Sequence, residues 1–289
     1  TEITSKPYLS LGQGVLRKKY EEGNVTEYVY GQFNNSTLDA YESSLVAAWK
    51  FESETNTVYD VVGENNGRAT GATTITGKDG NAFEFDGTDD ILECGQDASM
   101  QFTDSFTISA WVYPHRSGGF DPVFARCEDN GMTIENGILL RQNDSSNWEF
   151  TIYDDDGSGD SISGGSVQTN QWQHLVAIKD GTSLKLYANG SLVDSGTSSK
   201  SPLTGKVYIA HDEEDNVYFD GAIDEIYVWD TGLSSTAVST LYNSGTGRFY
   251  EADMAVPIKK INERGYVTYY EYNGGLQITA QVDALGGRV

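Results

Sequence analysis

Residues 172–193 read WQHLVAIKDGTSLKLYANGSLV, and the fold is decided here. Leu175 to Ile178 forms a short apolar run, Asp180-Gly181 starts a turn, and Leu184 to Tyr187 forms the next run. Asn189-Gly190 then closes a second turn onto Leu192 and Val193. Asp-Gly and Asn-Gly accept the positive backbone angles of tight hairpin turns, which fixes strand register. The stretch is therefore an antiparallel meander.

The same grammar extends in both directions. Upstream, Phe106, Ile108, Ala110 and Val112 alternate, with Trp111 and Tyr113 facing the other way. A strand apolar on both faces belongs in the middle of a sheet. Leu45, Ala47, Trp49 and Phe51 recur at every second position, as do residues of a strand with one face against a core. Ala82 to Phe85, Ile91-Leu92, Val123 to Arg126, Gly137 to Arg141 and Trp148 to Tyr153 add further strands. Val207 to Ala210, Val217 to Phe219 and Ile223 to Trp229 complete the set. A single helix is expected from Ser235 to Asn243, capped by Ser234, carrying Val238, Leu241 and Tyr242 on one stripe, and ended by Gly245. The expected class is all-β: a two-sheet antiparallel sandwich with one short helix and β-rich terminal extensions.

Composition agrees. Of 289 residues, 32 are Gly and 5 are Pro, a ratio suited to many strands joined by polar turns. Forty-three acidic residues against 19 basic ones give a net charge of −24. Between Leu45 and Gly245 there are 10 basic and 32 acidic residues, so the centre carries nearly all the excess. Such a field repels a phosphate backbone and excludes nucleic acid as a partner. It suits calcium or a strongly solvating medium. No apolar run of about 18 residues is present to insert in a membrane. Residues 1–10 lack a basic and apolar leader, a trace that a removed signal peptide also leaves. Cys94 and Cys127 make no disulfide framework; pairing across adjacent strands and buried thiols both stay open.

The centre divides the chain into an extension over 1–44, a sandwich over 45–245 and a second extension over 246–289. In the first, Val25 to Phe33 reads as a strand. In the last, Gly265 to Tyr272 is strand-like, Asn273-Gly274-Gly275 is a turn, and Leu276, Ile278 and Ala280 alternate again. A lone hairpin is barely stable, so this one must rest on the sandwich, pair with the N-terminal flank, or join a neighbouring subunit.

Six segments in order carry a family resemblance: Ala48-Trp49-Lys50-Phe51; Gly80-Asn81-Ala82-Phe83-Glu84-Phe85-Asp86-Gly87 with Asp90; Phe106-Thr107-Ile108-Ser109-Ala110-Trp111-Val112; Trp172-Gln173-His174-Leu175-Val176; Leu186-Tyr187-Ala188-Asn189-Gly190; and Phe219-Asp220-Gly221-Ala222-Ile223-Asp224-Glu225-Ile226. Leu45 to Gly245, about 70% of the chain, resembles the laminin-G-like jelly-roll domains of the concanavalin A-like lectin/glucanase superfamily. The resemblance implies a structural calcium and a secreted or surface location. It does not choose among carbohydrate-binding, adhesion and structural members.

Calcium takes several hard oxygen ligands. Family position nominates Glu52, just past the first strand, and Asp224, in the penultimate strand. Asp60, in the loop Tyr59 to Gly67, is a third candidate, although that loop departs from the family's Asp and Gly spacing. Two denser groups, Asp154, Asp155, Asp156 with Asp160, and Asp212, Glu213, Glu214, Asp215, set like charges side by side and call for a cation, a basic partner or solvent. Solvated loops are the simpler reading of both. Sugar recognition requires an aromatic face plus polar groups for hydroxyls, and Tyr113, Phe120, Trp148 and Tyr153 lie near polar loops. Core packing is the competing role for each of them, and packing is assigned to Trp49, Trp111 and Trp229.

Catalysis is not expected. Retaining glycoside hydrolysis requires two carboxylates across the scissile bond, and the Glu-x-Asp-x-x-Glu strand signature of one superfamily branch is absent. No phosphate loop or nucleophile elbow is present, and His174 sits where the family has a structural strand histidine. The sequence thus points to a non-catalytic structural subunit of an extracellular or virion assembly, joined to other subunits through its extensions. The alternative is a carbohydrate-binding or adhesion module with a structural calcium.

Overall fold

The double hairpin of residues 172–193 forms as its glycines dictate. Strands Gln173–Asp180 and Ser183–Ala188 pair antiparallel, with Asp180 opposite Ser183, and the next turn sets Ala188 opposite Ser191. Asn189 and Gly190 adopt φ of 49° and 74°, the left-handed pair that a two-residue hairpin turn demands. These observations come from a computed structural model describing residues 15–21, 24–30, 33, 35–53, 55–63, 65–129, 134–213, 215–250, 256–261, 267–272 and 278–283. They divide into two compact units: Ser44–Phe249, and the segments on either side of it.

The larger unit is a two-sheet antiparallel sandwich. Its front sheet runs Ser191–Thr197, Ser183–Ala188, Gln173–Asp180, Ser105–Pro114, Asp220–Trp229, Asn81–Asp86, Thr73–Thr76, with Leu45–Trp49 added alongside Asp220–Trp229. The back sheet runs Gly159–Ser166, Asn147–Tyr153, Ile134–Gln142, Pro122–Asp129, Lys206–Ile209, Ile91–Glu93, Gly67–Thr70, Thr57–Val58. Strand Ser105–Pro114 is central, between Gln173–Asp180 and Asp220–Trp229, as its two apolar faces require. Phe106, Ile108, Ala110 and Val112 point into the core with Trp49, Phe85, Leu175, Leu186 and Ile223. Each large apolar side chain so enclosed contributes roughly 1.5–3 kcal/mol.

Helix Ser235–Tyr242 is capped by Ser234, whose hydroxyl accepts from the Ala237 amide at 3.2 Å. It ends at Asn243, which takes the left-handed conformation at φ 46°, two residues before the Gly245 expected to end it. Asparagine tolerates that region, so the helix stops there. Cys94 and Cys127 are not joined in a disulfide. Cys94 is buried in the main core, while Cys127 lies in a separate cluster with Ala125, Leu139 and Tyr208.

The other unit contains a five-stranded sheet in the order Val15–Glu21, Asn24–Tyr30, Val256–Ile261, Val267–Tyr272, Ile278–Asp283. The N-terminal hairpin joins the C-terminal strands through Asn24–Tyr30 and Val256–Ile261. A short helical turn, Ser36–Asp39, is capped by Asn35. The expected turn at Asn273-Gly274-Gly275 lies outside the described residues.

Candidate functional site

The carboxylates nominated for calcium do not gather as a set. Asp60 is buried, and its oxygens accept from the Ala48 amide at 2.9 Å, the Val62 amide at 3.0 Å, the Asn65 amide at 3.1 Å and Asn65 Nδ2 at 2.9 Å. Four N–H donors occupy one carboxylate, whose work is to fold the loop against the first strand. Asp224 is similarly committed. Its Oδ2 accepts from the Lys78 and Asp79 amides at 2.8 and 3.1 Å, and Oδ1 from the Glu225 amide at 2.8 Å.

Glu52 finds other company, Asp79 and Glu225, whose carboxylate oxygens lie within 4.8 Å of one another and of its own. Three backbone features assemble the group. Phe51, at φ 59°, holds its ring in the core against Phe83 as the chain turns toward Glu52. In the turn Gly77-Lys78-Asp79-Gly80, a Cβ at Gly80 would lie 2.1 Å from Glu52 Oε1 and one at Gly77 2.6 Å from Asp224 Oδ2. Bare glycine backbone is what lets both acids approach. Third, Glu225 itself sits at φ 49° within a register shift between Asp224 and Tyr227. Neighbouring strand residues ordinarily face opposite sides of a sheet. The bulge removes that alternation, so both acids meet the same turn.

Glu225 is fully buried, and its Oε1 faces the Lys50 ammonium at 3.5 Å. Lys50 also lies 3.5 Å from Asp79, and the Tyr227 hydroxyl donates to Glu225 Oε2. Burial pushes the Glu225 carboxyl up to about 8 against the opposing pull of Lys50. Burial and then the Glu225 charge raise Asp224 well above the carboxylate range. One lysine against three carboxylates leaves an excess of oxygen donors suited to a hard cation. Asp86, Asp89 and Asp90 form a second acidic group. Either group could hold a divalent ion.

Sequence reasoning missed Asp79 and Glu225. The legible trace was the Gly-x-x-Gly turn beside Glu52 and the adjacent acids Asp224-Glu225, but a bulge has no sequence signature. The two acidic runs sit in different surroundings. Asp154 pairs with Lys200 at 2.9 Å and Asp156 accepts from the Ser158 amide, so a basic partner meets part of this run; Asp155 is exposed and Asp160 half-buried. Asp212 is fully buried rather than solvated, within 3.8 Å of the Cys127 thiol, Glu213 is half-buried, and Asp215 is exposed 3.4 Å from Arg141. Glu214 lies outside the described residues.

Of the nominated aromatics, Trp148 is enclosed in the core and offers no face to a ligand, because it falls on the inward side of its strand. Tyr153 is half-buried against the Ala125–Leu139–Tyr208 cluster. Tyr113 packs edge-on to Trp172 and His115. Phe120 stands out. It is 42% exposed on the loop between strands Ser105–Pro114 and Pro122–Asp129, and the Arg141 guanidinium lies over its ring at 4.7 Å. Arg141 is held by Glu149 at 2.9 Å, and Asn143 Nδ2 reaches Glu149 at 3.4 Å. The loop is anchored behind by Asp121, which receives Arg116 Nε at 2.8 Å and Gln142 Nε2 at 2.6 Å. A ring with one face over a fixed cation and an exposed remainder, rimmed by carboxylate and amide groups, can stack and hydrogen-bond at once.

On the front sheet the aromatic cluster is covered. Trp111 is buried beside His174 at 5.0 Å, with Tyr242 of the helix stacked over both at 6.1 and 6.2 Å and the Lys78 ammonium 4.3 Å from its ring. Ser109 and His174 Nε2 lie 2.8 Å apart, yet both are buried beneath that cover. Burial, then the Lys78 charge, lowers His174 to about 3 and keeps it neutral. Among the described residues no helix is long and apolar enough to cross a membrane.

A family model for the concanavalin A-like lectin/glucanases superfamily matches residues 86–239. No curated protein matches the chain. Among solved structures, the chain is similar to the binding domain of Paraclostridial Mosquitocidal Protein 1, with 18% identity, TM-score 0.57, and coverage of 70% of this chain and 52% of that one. It is similar to domain 4 of AbnA, a GH43 extracellular arabinanase from Geobacillus stearothermophilus, solved with arabinotriose; the figures are 18%, 0.53, 68% and 97%. Trypanosoma rangeli sialidase in complex with 2,3-difluorosialic acid shows 15%, 0.58, 71% and 34%. The chain thus spans about half of the mosquitocidal binding domain and a third of the sialidase, and at these identities the likeness is one of fold.

Proposed function

The chain belongs to the concanavalin A-like lectin/glucanase superfamily, and from that premise we propose that its sandwich is a non-catalytic carbohydrate-recognition module steadied by calcium. The observation that carries the reading is Phe120 over Arg141. A sugar ring offers an apolar C–H face and a rim of hydroxyls; the exposed part of Phe120 takes the first, while Arg141, Glu149, Asn143 and Asp215 take the second. Acidic neighbours already occupy Arg141, and the chain carries −24 overall, so the site disfavours acidic sugars and selects neutral ones. The arabinotriose complex of AbnA domain 4 supports a neutral glycan.

Glu52, Asp79 and Glu225 are the residues that would hold calcium. The ion would supply the positive charge that Lys50 alone does not, and so fix the exit of the first strand to the Gly77–Gly80 turn. A glycan array probed with the full chain, with and without chelator, tests the proposal. Binding of neutral oligosaccharides that weakens under chelation is expected; no binding in either condition would overturn it.

A second reading, a structural subunit of an extracellular or virion assembly, draws support from the terminal strands, which form a sheet of their own. Sedimentation of the full chain at micromolar concentration tests it. Assembly predicts concentration-dependent oligomers, and a monomer throughout removes the support.

A further inference from the structure

The two hairpins of the terminal sheet are copies of one another. Residues 15–30 read VLRKKYEEGNVTEYVY, and residues 256–272 read VPIKKINERGYVTYYEY. With Arg264 as a single inserted residue, nine of sixteen positions coincide, including the Lys-Lys pair, the Val-Thr pair and the last two tyrosines in alternate places. Unrelated segments of this length share about one residue at ordinary composition. Register repeats as well as sequence. Lys18, Lys19 and Tyr20 lie opposite Glu27, Thr26 and Val25; their counterparts Lys259, Lys260 and Ile261 lie opposite Tyr269, Thr268 and Val267. Equivalent positions pair with equivalent positions in both copies, and the Lys–Thr pair is identical.

The copies also meet in a regular way. The second strand of the first copy pairs with the first strand of the second copy, placing Thr26 opposite Lys260. The second strand of the second copy pairs in turn with Ile278–Asp283, placing Thr268 opposite Asp283. Strand Ile278–Asp283 therefore holds the position of a first strand, although it lacks the lysine pair. Strand Val256–Ile261, the one first strand inside the sheet, has a second strand on each side. The outer strands, Val15–Glu21 and Ile278–Asp283, are both of the first type, and among the described residues each shows a single second-strand neighbour.

We infer that the terminal segments are successive copies of a two-stranded repeat, that the sandwich is an insertion at the junction between copies, and that each outer strand is a docking edge for a further second-type strand. Repeats of this kind cover one another in sequence, each unit leaving an edge that the next one fills. The partner is thus an extended strand of the Gly-x-Val-Thr-x-Tyr-x-Tyr kind, added antiparallel through main-chain hydrogen bonds.

The test uses the full chain and the synthetic peptide GYVTYYEY, the sequence of residues 265–272. With peptide at about ten times its Kd, amide hydrogen exchange at Val15–Glu21 and Ile278–Asp283 should slow by about tenfold, while the sandwich edge strand Ser191–Thr197 is unchanged. No slowing at either outer strand, or equal slowing by a scrambled peptide, would overturn the docking edge. The repeat is tested separately by exchanging residues 15–30 with 256–272 in the full chain. Preserved exchange protection across all five strands is expected, and loss of protection confined to this sheet would show that the hairpins are not equivalent.

Discussion

The outer faces of the two sheets are built from similar materials and end in opposite states. On the front sheet, Trp111, His174 and Val176 are sealed, with Tyr242 of the capped helix stacked over Trp111 and His174. On the back sheet, the cluster around Ala125, Leu139 and Tyr208 is partly shielded by His211 and Asp212, while Phe120 stays at the surface over the largely buried Arg141. An aromatic next to a cation means packing on one side and an open platform on the other. Whether a helix lies over the pair is what separates them.

Mutation sharpens the contrast. Trp111→Ala, which empties the sealed face, should lower stability by about 3–5 kcal/mol in chemical denaturation. Asp60→Ala leaves four N–H groups without their acceptor and should cost about 2–4 kcal/mol, with no change in calcium response. A loss of calcium response in that variant would return Asp60 to the cation site.

Glu225 tests the buried acids by pH. Its folded carboxyl titrates near 8 against an ordinary 4.5, so the folded state keeps a proton that the unfolded chain has already released. Its contribution to stability is fully present below about 4.5 and is lost as pH rises to about 8. Thermal melts without calcium should decline over that window, and Glu225→Gln should flatten the decline. Calcium competes with the proton, so it should raise Tm more above pH 8 than near pH 5, and this difference should vanish in the variant. The smallest effect on stability belongs to Phe120→Ala, within about 0.5 kcal/mol of the parent, since the ring is a surface group.

Much of the fold was legible because it is local. Asn189-Gly190 sets its hairpin within two residues, and the alternation of Phe106 to Val112 names its own buried face. The site was less legible because its pieces are distant in sequence. Asp79 reaches the amide-binding carboxylate of Asp224 across 145 positions, and the choice of Glu225 over Asp224 as the acid facing Lys50 depends on one bulged residue. Composition is equally blind to neighbours: Asp154 and Asp212 sit in similar acidic runs, yet one meets Lys200 and the other is buried beside Cys127. Trp148 and Phe120 both stood near polar loops, and strand parity alone put the first in the core.

The decisive measurement is a binding titration of neutral and sialylated oligosaccharides with the full chain and with Phe120→Ala. Recognition through Phe120 predicts saturable binding of a neutral glycan by the parent, at least about tenfold weaker binding by the variant at unchanged Tm, and no preference for the sialylated form. Equal affinity in the two proteins, or a preference for sialylated glycan, would contradict it.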